Sequence, residues 1–525
     1  MSELIHDFIF DSARRTPGAE ALVYGARRLD YAALAGAVRG AADALAALGL
    51  ERGERVAVCM EKNVENVAAM FGAAAAGGVF VPVNPLLKPE QVAYILADCN
   101  VRVLVTSADR LRLLAPALAQ CPELATVIAV NPTGATLPEL PGIGVLGWDS
   151  ALAAPPGTTP RAGIDSDMAA ILYTSGSTGK PKGVVLSHRN LVAGAASVST
   201  YLDNTAQDRI LAVLPLSFDY GLSQLTTAFR VGATAVLLNH LLPRDVLKAV
   251  VAERITGLAA VPPLWLQLAP LGWPADCTLR YWTNSGGAMQ RPTLDALRQA
   301  LPQALPYLMY GLTEAFRSTY LPPSELARRP ESMGKAIPNA EVLVLRPDGS
   351  ECDADEPGEL VHRGALVSLG YWNDAAKTAE RFKPFVQPGG AGLTLPEWAV
   401  WSGDTVRRDA EGFLYFISRT DEMIKTSGYR VSPTEVEEVV YARGGVLEAA
   451  AIGAPHPALG QAIVVIAQAA ADATAESLLA AIKPHLPAYM LPQRVVLADA
   501  PLPRNPNGKI DRKLLSLQYA GCFQA

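Results

Sequence analysis

The sequence predicts a mixed α/β and α+β protein built from one large body and one small one. Three observations carry this. Strand-like and helix-like runs alternate to about residue 150 and again from 168 to about 320, the pattern of α/β layers with parallel strands. Between 341 and 418 the strand-like runs are shorter and broken by many turns, which suits a β-rich subdomain. The last hundred residues read as a separate, small α+β unit. The 525 residues are 50% hydrophobic and only 18% charged, enough apolar material for a packed core, which excludes a disordered or collagen-like chain.

In chain order, residues 33–49 read as an Ala/Leu-rich helix, followed by the polar turn Glu51 to Glu54 and the buried strand Val56 to Cys59. The uncharged stretch from Asn66 to Leu87 matches the length of a membrane span, about 20 residues. Gly77-Gly78, Pro82, Asn84 and Pro85 interrupt it, so the expectation is a buried helix ending at the glycines and then a short strand, Val79 to Val81. Arg102 to Val105 and Val127 to Val130 are further strands, and Pro155 to Gly163 reads as a surface linker. Near the C-terminus, Ser432-Pro-Thr-Glu435 has the form of a capping box with proline at the first helical position, opening a helix through Val436 to Tyr441. A purely structural role is expected for it.

Composition excludes several functions. A net charge of −6 argues against a nucleic-acid binder. The six cysteines lie far apart with no C-x-x-C pair, and the six histidines are scattered, so neither a disulfide scaffold nor a zinc site is expected. Met1 to Arg15 carries Glu3 and Asp7 and lacks a basic start before an apolar run, so no signal peptide is expected. The protein is read as cytoplasmic, without a membrane span.

The sharpest local feature is Tyr173-Thr-Ser-Gly-Ser-Thr-Gly-Lys-Pro-Lys-Gly183, between the strand-like runs Ala169 to Leu172 and Val184 to Leu186. Small residues let backbone N–H groups and hydroxyls close around phosphate oxygens, and Lys180 and Lys182 add positive charge. A Gly/Ser run alone is usually a surface turn. It is not a Walker A loop, which opens a helix; here Pro181 follows Lys180 and a strand follows the loop.

This run resembles the phosphate loop of the adenylate-forming superfamily, which comprises acyl-CoA synthetases, adenylation domains of peptide synthetases, and luciferases. Further motifs match in order along nearly the whole chain: Ser285-Gly-Gly-Ala288, Tyr310-Gly-Leu-Thr-Glu314, Gly358-Glu-Leu360, Trp401-Ser-Gly-Asp404, Arg419-Thr-Asp421 to Glu437, Leu486-Pro-Ala-Tyr-Met-Leu-Pro492 and Asn507-Gly-Lys-Ile-Asp-Arg512. The wording of Tyr310 to Tyr320 is also similar to acyl-CoA ligases associated with bacterial exosortase systems. The resemblance implies a large domain, residues 1–419, of two α/β subdomains and a smaller distorted β-barrel, and a mobile α+β domain, residues 420–525, with the active site between them.

It also implies two half-reactions. A carboxylate attacks the α-phosphate of ATP, giving an acyl-adenylate and pyrophosphate; a thiol of coenzyme A or of a carrier-protein phosphopantetheine then displaces AMP. By the same resemblance, Thr174, Ser175, Gly176, Ser177, Thr178, Gly179 and Lys180 hold the phosphates, Thr313 contacts the α-phosphate, and Glu314 holds Mg²⁺. Tyr310 stacks on adenine, which Gly286, Gly287 and Ala288 line, while Asp404 and Arg419 reach the ribose. Lys509 bridges the substrate carboxylate and the nucleotide in adenylation. Asp421 is the hinge whose swing withdraws Lys509 and brings Gly428 and Arg430 to the thiol tunnel.

The acid pocket is less explicit. Many fatty and aryl acyl-CoA synthetases carry Phe-His where this chain has Phe218-Asp219, which resembles the Phe-Asp of amino-acid adenylation domains. There the aspartate pairs with the substrate amino group. Arg317 is a rival partner for Asp219; alternatively it recognises a second carboxylate or polar group of the acid. Ser223, Thr283, Ser285, Met309 and Ser318 complete the expected wall, which is more polar than a fatty-acid tunnel. The expectation is a small polar acid, an amino or β-amino acid, against a plain acyl acid. No carrier-attachment serine follows Asn507 to Arg512, so the expected acceptor is CoA or a separate carrier protein. A stand-alone amino-acid adenylation enzyme loading such a carrier is the alternative; a non-catalytic nucleotide-binding regulator is disfavoured by Lys509, and a P-loop kinase by Pro181.

Overall fold

The structure, a computed structural model, describes residues 3–131, 137–153, 163–174, 180–287, 289, 291–385, 396–419, 423–443, 445–469, 473–503 and 510–523. Two large sheets form the body of the big domain. One has seven strands, in the order Gly144–Gly147, Thr126–Val130, Val101–Ser107, Arg55–Cys59, Val79–Pro82, Met168–Thr174, Lys182–Ser187. All neighbours in it are parallel except the last pair. The other has nine strands and is parallel from Leu305–Leu312 through to Glu20–Tyr24, with antiparallel strands at both edges. Parallel strands are buried on both faces, which is why they read as unbroken apolar runs.

Helices sit between the two sheets. Leu22 and Ala235 of the nine-stranded sheet share one hydrophobic cluster with Phe80 and Leu186 of the seven-stranded sheet, bridged by Leu34, Val67 and Phe229 from helices. The expected helix at 33–49 is Tyr31–Ala47; it starts earlier because Asp30 caps it, accepting a bond from the Ala33 N–H at 2.7 Å. The helix before Gly77-Gly78 is Val64–Ala75, capped by Asn63. A Cβ on its Gly72 would lie 2.6 Å from the Ala41 Cβ, so glycine lets these two helices meet at the backbone. No described helix is long and apolar enough to cross a membrane. Of the expected linker, residues 155–162 lie outside the described residues.

A third sheet has five antiparallel strands and lies in the stretch where the distorted barrel is expected. Its order is Ala340–Leu345, Gly358–Gly364, Glu397–Arg408, Phe382–Phe385, with Leu414–Arg419 also on Glu397–Arg408. The small C-terminal domain carries a fourth sheet, Tyr429–Val431, Ile424–Thr426, Gly460–Ala469, Val446–His456, with Arg494–Leu497 parallel to Gly460–Ala469. Helices Pro433–Arg443 and Ala475–Ile482 pack on it through Val436, Val440, Leu478 and Ile482. Among the described residues, no hydrophobic cluster draws members from both sides of the stretch 415–424.

Candidate active site

The glycine-rich run joins the antiparallel pair Met168–Thr174 and Lys182–Ser187, with Thr174 opposite Lys182. It is thus a loop closed by a strand pair and does not open a helix. Ser175, Gly176, Ser177, Thr178 and Gly179 lie outside the described residues. The Thr174 hydroxyl at its base is buried without a hydrogen-bond partner among the described residues. Lys180 and Lys182 differ sharply. The Lys180 ammonium lies 5.7 Å from the centre of the Tyr94 ring. Lys182 turns inward, donates to the Tyr371 hydroxyl at 3.0 Å and stands 3.6 Å from the Glu314 carboxylate.

Glu314 occupies the turn between Leu305–Leu312 and Ala315–Leu321, where Thr313 precedes it. It is buried and accepts a bond from the Tyr371 hydroxyl at 2.6 Å. Burial works to raise its carboxyl, but Lys182, Arg430 and the Tyr371 hydroxyl outweigh it and bring it down to about 2. The site therefore holds a full negative charge where the phosphate loop opens. Arg430 comes from the C-terminal strand Tyr429–Val431.

On the nucleotide side, the Tyr310 ring lies parallel to buried His362, centroids 6.2 Å apart, and its hydroxyl donates to Asp404. Burial holds His362 down to about 3, so it is neutral. Asp404 stands in register with Arg419, whose side chain, like Ala288, lies outside what is described. Gly286 adopts φ +80°, a conformation few other residues reach, and Gly287 follows it beneath Pro262.

A cavity of about 170 Å³ adjoins these groups. Thr174, Phe218, Asp219, Ser285, Gly286, Thr313, Arg317, Gly428 and Arg430 border it, which brings expected phosphate, acid and thiol residues to one space. Asp219 begins the helix Asp219–Val231, and a Cβ on Gly221 would fall 1.9 Å from the Pro215 carbonyl oxygen, so glycine alone lets this helix start here. Asp219 accepts the Tyr220 N–H at 2.7 Å. It borders the cavity, and burial raises its carboxyl against the pull of Arg317. Arg317 acts on it electrostatically, yet among the described residues no ion pair joins the two. Ser223, Thr283, Met309 and Ser318 do not border the cavity. They stand one layer behind: Ser223 and Met309 against Arg317, Thr283 bonded to the Tyr220 hydroxyl, and Ser318 to the Ala315 carbonyl.

The C-terminal domain seals this space. Gly428, φ +81°, lies so close to Val261 that a Cβ would meet its Cγ2 at 2.7 Å. The Tyr429 ring stacks on Tyr489 at 3.8 Å and meets Phe218 edge-on at 5.2 Å. Glu435, expected to be only a helix cap, is half-buried and meets the large domain, where the Gln91 amide donates to it at 3.4 Å. Burial pushes its carboxyl up to about 8. Beyond Phe218 a second cavity of about 630 Å³ runs past His240, Leu241 and Leu264 to Gly428. Lys509 and Asp421 lie outside the described residues. Sequence reasoning missed Tyr371, His362 and the burial of Glu435; each gains its meaning from residues distant in the chain, and no local pattern announced it.

Three comparisons place the chain among known proteins. A family described as AMP-binding enzyme matches residues 9–372, and one described as AMP-binding enzyme C-terminal domain matches residues 435–509. 4-Coumarate–CoA ligase 2 of Oryza sativa subsp. japonica is 32% identical, over 99% of this chain and 93% of that protein. A linear gramicidin synthase from Brevibacillus parabrevis is 31% identical over 97% of this chain, which spans only 10% of that protein. Among solved structures, a double mutant of o-succinylbenzoate CoA synthetase from Bacillus subtilis, bound to its product analogue, superposes with TM-score 0.84 at 26% identity, covering 97% of this chain and 98% of that one.

Proposed function

The chain belongs to the AMP-binding enzyme family and is an AMP-forming acid–thiol ligase, and from that premise we propose that its acid is a short, polar one whose amino group pairs with Asp219. The enzyme uses ATP to convert a carboxylic acid to an acyl-adenylate, releasing pyrophosphate, and passes the acyl group to a thiol. The observation that carries the proposal is Asp219 itself: a carboxylate bordering the cavity with no cation in ion-pair range among the described residues. Such a group is costly to bury unless a ligand cation joins it.

In this reading the substrate carboxylate lies near Thr313 and attacks the α-phosphorus, while Thr174 and the loop that follows hold the leaving phosphates. The orphan hydroxyl of Thr174 supports that role. A Mg²⁺ ion takes most of its ligands from phosphate and water and needs few protein carboxylates. Glu314, kept ionised beside the loop, fits it, and the ion would neutralise charge on the triphosphate. Tyr310, Gly286 and Gly287 flank the base, Asp404 and Arg419 the ribose, and Lys509 the reacting carboxylate. Gly428 and Arg430 line the approach of the thiol, with CoA as the acceptor and the second cavity as its path. The likeness to a structure holding a CoA product analogue supports this domain arrangement as the thiol-transfer one. A division at residues 419 and 420, with Asp421 as hinge, and a cytoplasmic location, where ATP and CoA are supplied, complete the proposal.

ATP–pyrophosphate exchange over matched acids with and without an amino group tests it. The amino acids should exchange best, and Asp219→Asn should erase about 100-fold of that preference, the order of effect of leaving a buried charge unpaired. An unchanged preference in the variant would overturn the reading. Product analysis with CoA and with a carrier protein decides the acceptor; transfer only to the carrier would make the chain a stand-alone loading enzyme.

A further inference from the structure

We infer that the acid carries, besides its amino group, a second negatively charged group, a carboxylate or similar oxyanion, bound by Arg317, so that the substrate class is the short amino-dicarboxylic acids. The inference rests on the reading of Asp219 just given and extends it to the opposite charge.

Arg317 is only 3% exposed, and its residue borders the cavity. Its polar partners are neutral: Nη2 donates to the Ser223 hydroxyl at 2.5 Å and Nη1 to the Met309 sulfur at 3.6 Å, a weak acceptor. Nε has no partner among the described residues. The guanidinium lies over the Tyr220 ring at 4.3 Å. No described carboxylate comes within ion-pair range of it, and Asp219 acts on it only from farther away. A buried guanidinium in this state lacks its natural partner, a planar oxyanion.

The backbone is committed to this placement. Arg317 adopts φ +45°, rare for a residue with a side chain, and a Cβ on Gly311 would fall 2.7 Å from its Cα. The close approach of Gly311 and the left-handed turn at Arg317 break the regular strand alternation. The side chain then runs towards Met309 and Ser223. The guanidinium is thus held at the Met309 and Ser223 side of the pocket, where a second charged group of the acid can meet it.

Charge and size agree with that assignment. Four carboxyl or guanidinium side chains border the cavity: Glu435, whose carboxyl burial pushes up to about 8, Arg430, and Asp219 and Arg317, which no ion pair joins among the described residues. An ammonium and a carboxylate on the same acid answer Asp219 and Arg317 together. A volume of about 170 Å³ admits a short acid and falls below the range of about 300–1,000 Å³ that takes drug-sized ligands.

The test is ATP–pyrophosphate exchange by the purified full-length chain with four matched acids: aspartate, 2-aminobutyrate, succinate and butyrate, together with their one-carbon-longer homologues. Amino-dicarboxylates should show the highest kcat/KM. Arg317→Met, similar in length without the charge, should cut the preference for aspartate or glutamate over the amino-monocarboxylate about 100-fold, mainly through KM. Arg317→Lys should recover part of it. Should the methionine variant not fold, the wild-type series still decides. Equal or better exchange with 2-aminobutyrate or butyrate overturns the inference, as does a preference that survives loss of the charge. Exchange confined to acids outside the class leaves the adenylation reading standing without it; no exchange with any acid removes both.

Discussion

Replacing Gly428 by alanine separates two energies that, under the proposed thiol-transfer arrangement, belong to different steps. Gly428 sits at φ +81°, where a residue with a Cβ is strained by ~1–2 kcal/mol. That strain is local and is present in every arrangement of the two domains. The new Cβ would also lie 2.7, 3.1 and 3.2 Å from three side-chain atoms of Val261 in the large domain. Such overpacking costs ~1–3 kcal/mol, and only while the two domains meet as they do here. The local strain lowers the melting temperature and weighs on both half-reactions alike. If this contact belongs to the proposed thiol-transfer arrangement, the clash weighs on that step alone, by about 5- to 150-fold at 1.4 kcal/mol per decade. Exchange of pyrophosphate into ATP reads adenylation, and single-turnover transfer from preformed acyl-adenylate to CoA reads the second step. Transfer should fall by that factor more than exchange, and adding Val261→Ala should return most of the difference. Equal losses in the two assays, or no recovery in the double variant, would refute the reasoning.

Two further outcomes are expected. Burial raises the Glu435 carboxyl from 4.5 to about 8, so the sealed arrangement holds a proton that an exposed glutamate releases. It is fully favoured below about 4.5 and weakens by ~1.4 kcal/mol per pH unit up to about 8, where the loss ends; the ratio of transfer to exchange should fall across that window and become flat in Glu435→Gln. Gly334, at φ +84°, has the Tyr320 carbonyl oxygen 1.8 Å from where a Cβ would stand, so Gly334→Ala should destabilise the large domain by ~3 kcal/mol or more, read from the midpoint of urea unfolding.

Much of the fold was legible because it is locally encoded. Val56 to Cys59 is a strand, and the helix ahead of Gly77-Gly78 ends where the glycines end it, as apolar runs and breakers required. The phosphate loop was legible from its flanks, since a strand after Pro181 rules out a helix-opening loop. The site was legible only in part. Lys182, counted beside Lys180 as loop charge, belongs with Tyr371 and Glu314, residues distant from it in the chain. Glu435 reads as a helix cap because a cap is a local pattern, whereas its burial comes from Gln91 in the other domain. Ser223, Thr283, Met309 and Ser318 were expected on the pocket wall and stand behind it, because one-dimensional spacing does not say how far a side chain reaches. Asp219 and Arg317 show the same limit: the sequence puts opposite charges near one pocket, and only coordinates show whether an ion pair joins them.

The absence of any described hydrophobic cluster spanning the stretch 415–424 bears on how the molecule comes apart. Each domain keeps a complete interior when the other leaves, so the seam can part without wetting a core. Cooperativity is then a property of each domain and not of the chain. Calorimetry should resolve more than one melting event, the smaller belonging to the C-terminal α+β domain. A nucleotide whose contacts lie mostly on the large domain will move the events unequally, and their separation becomes a direct gauge of how strongly the two domains hold each other.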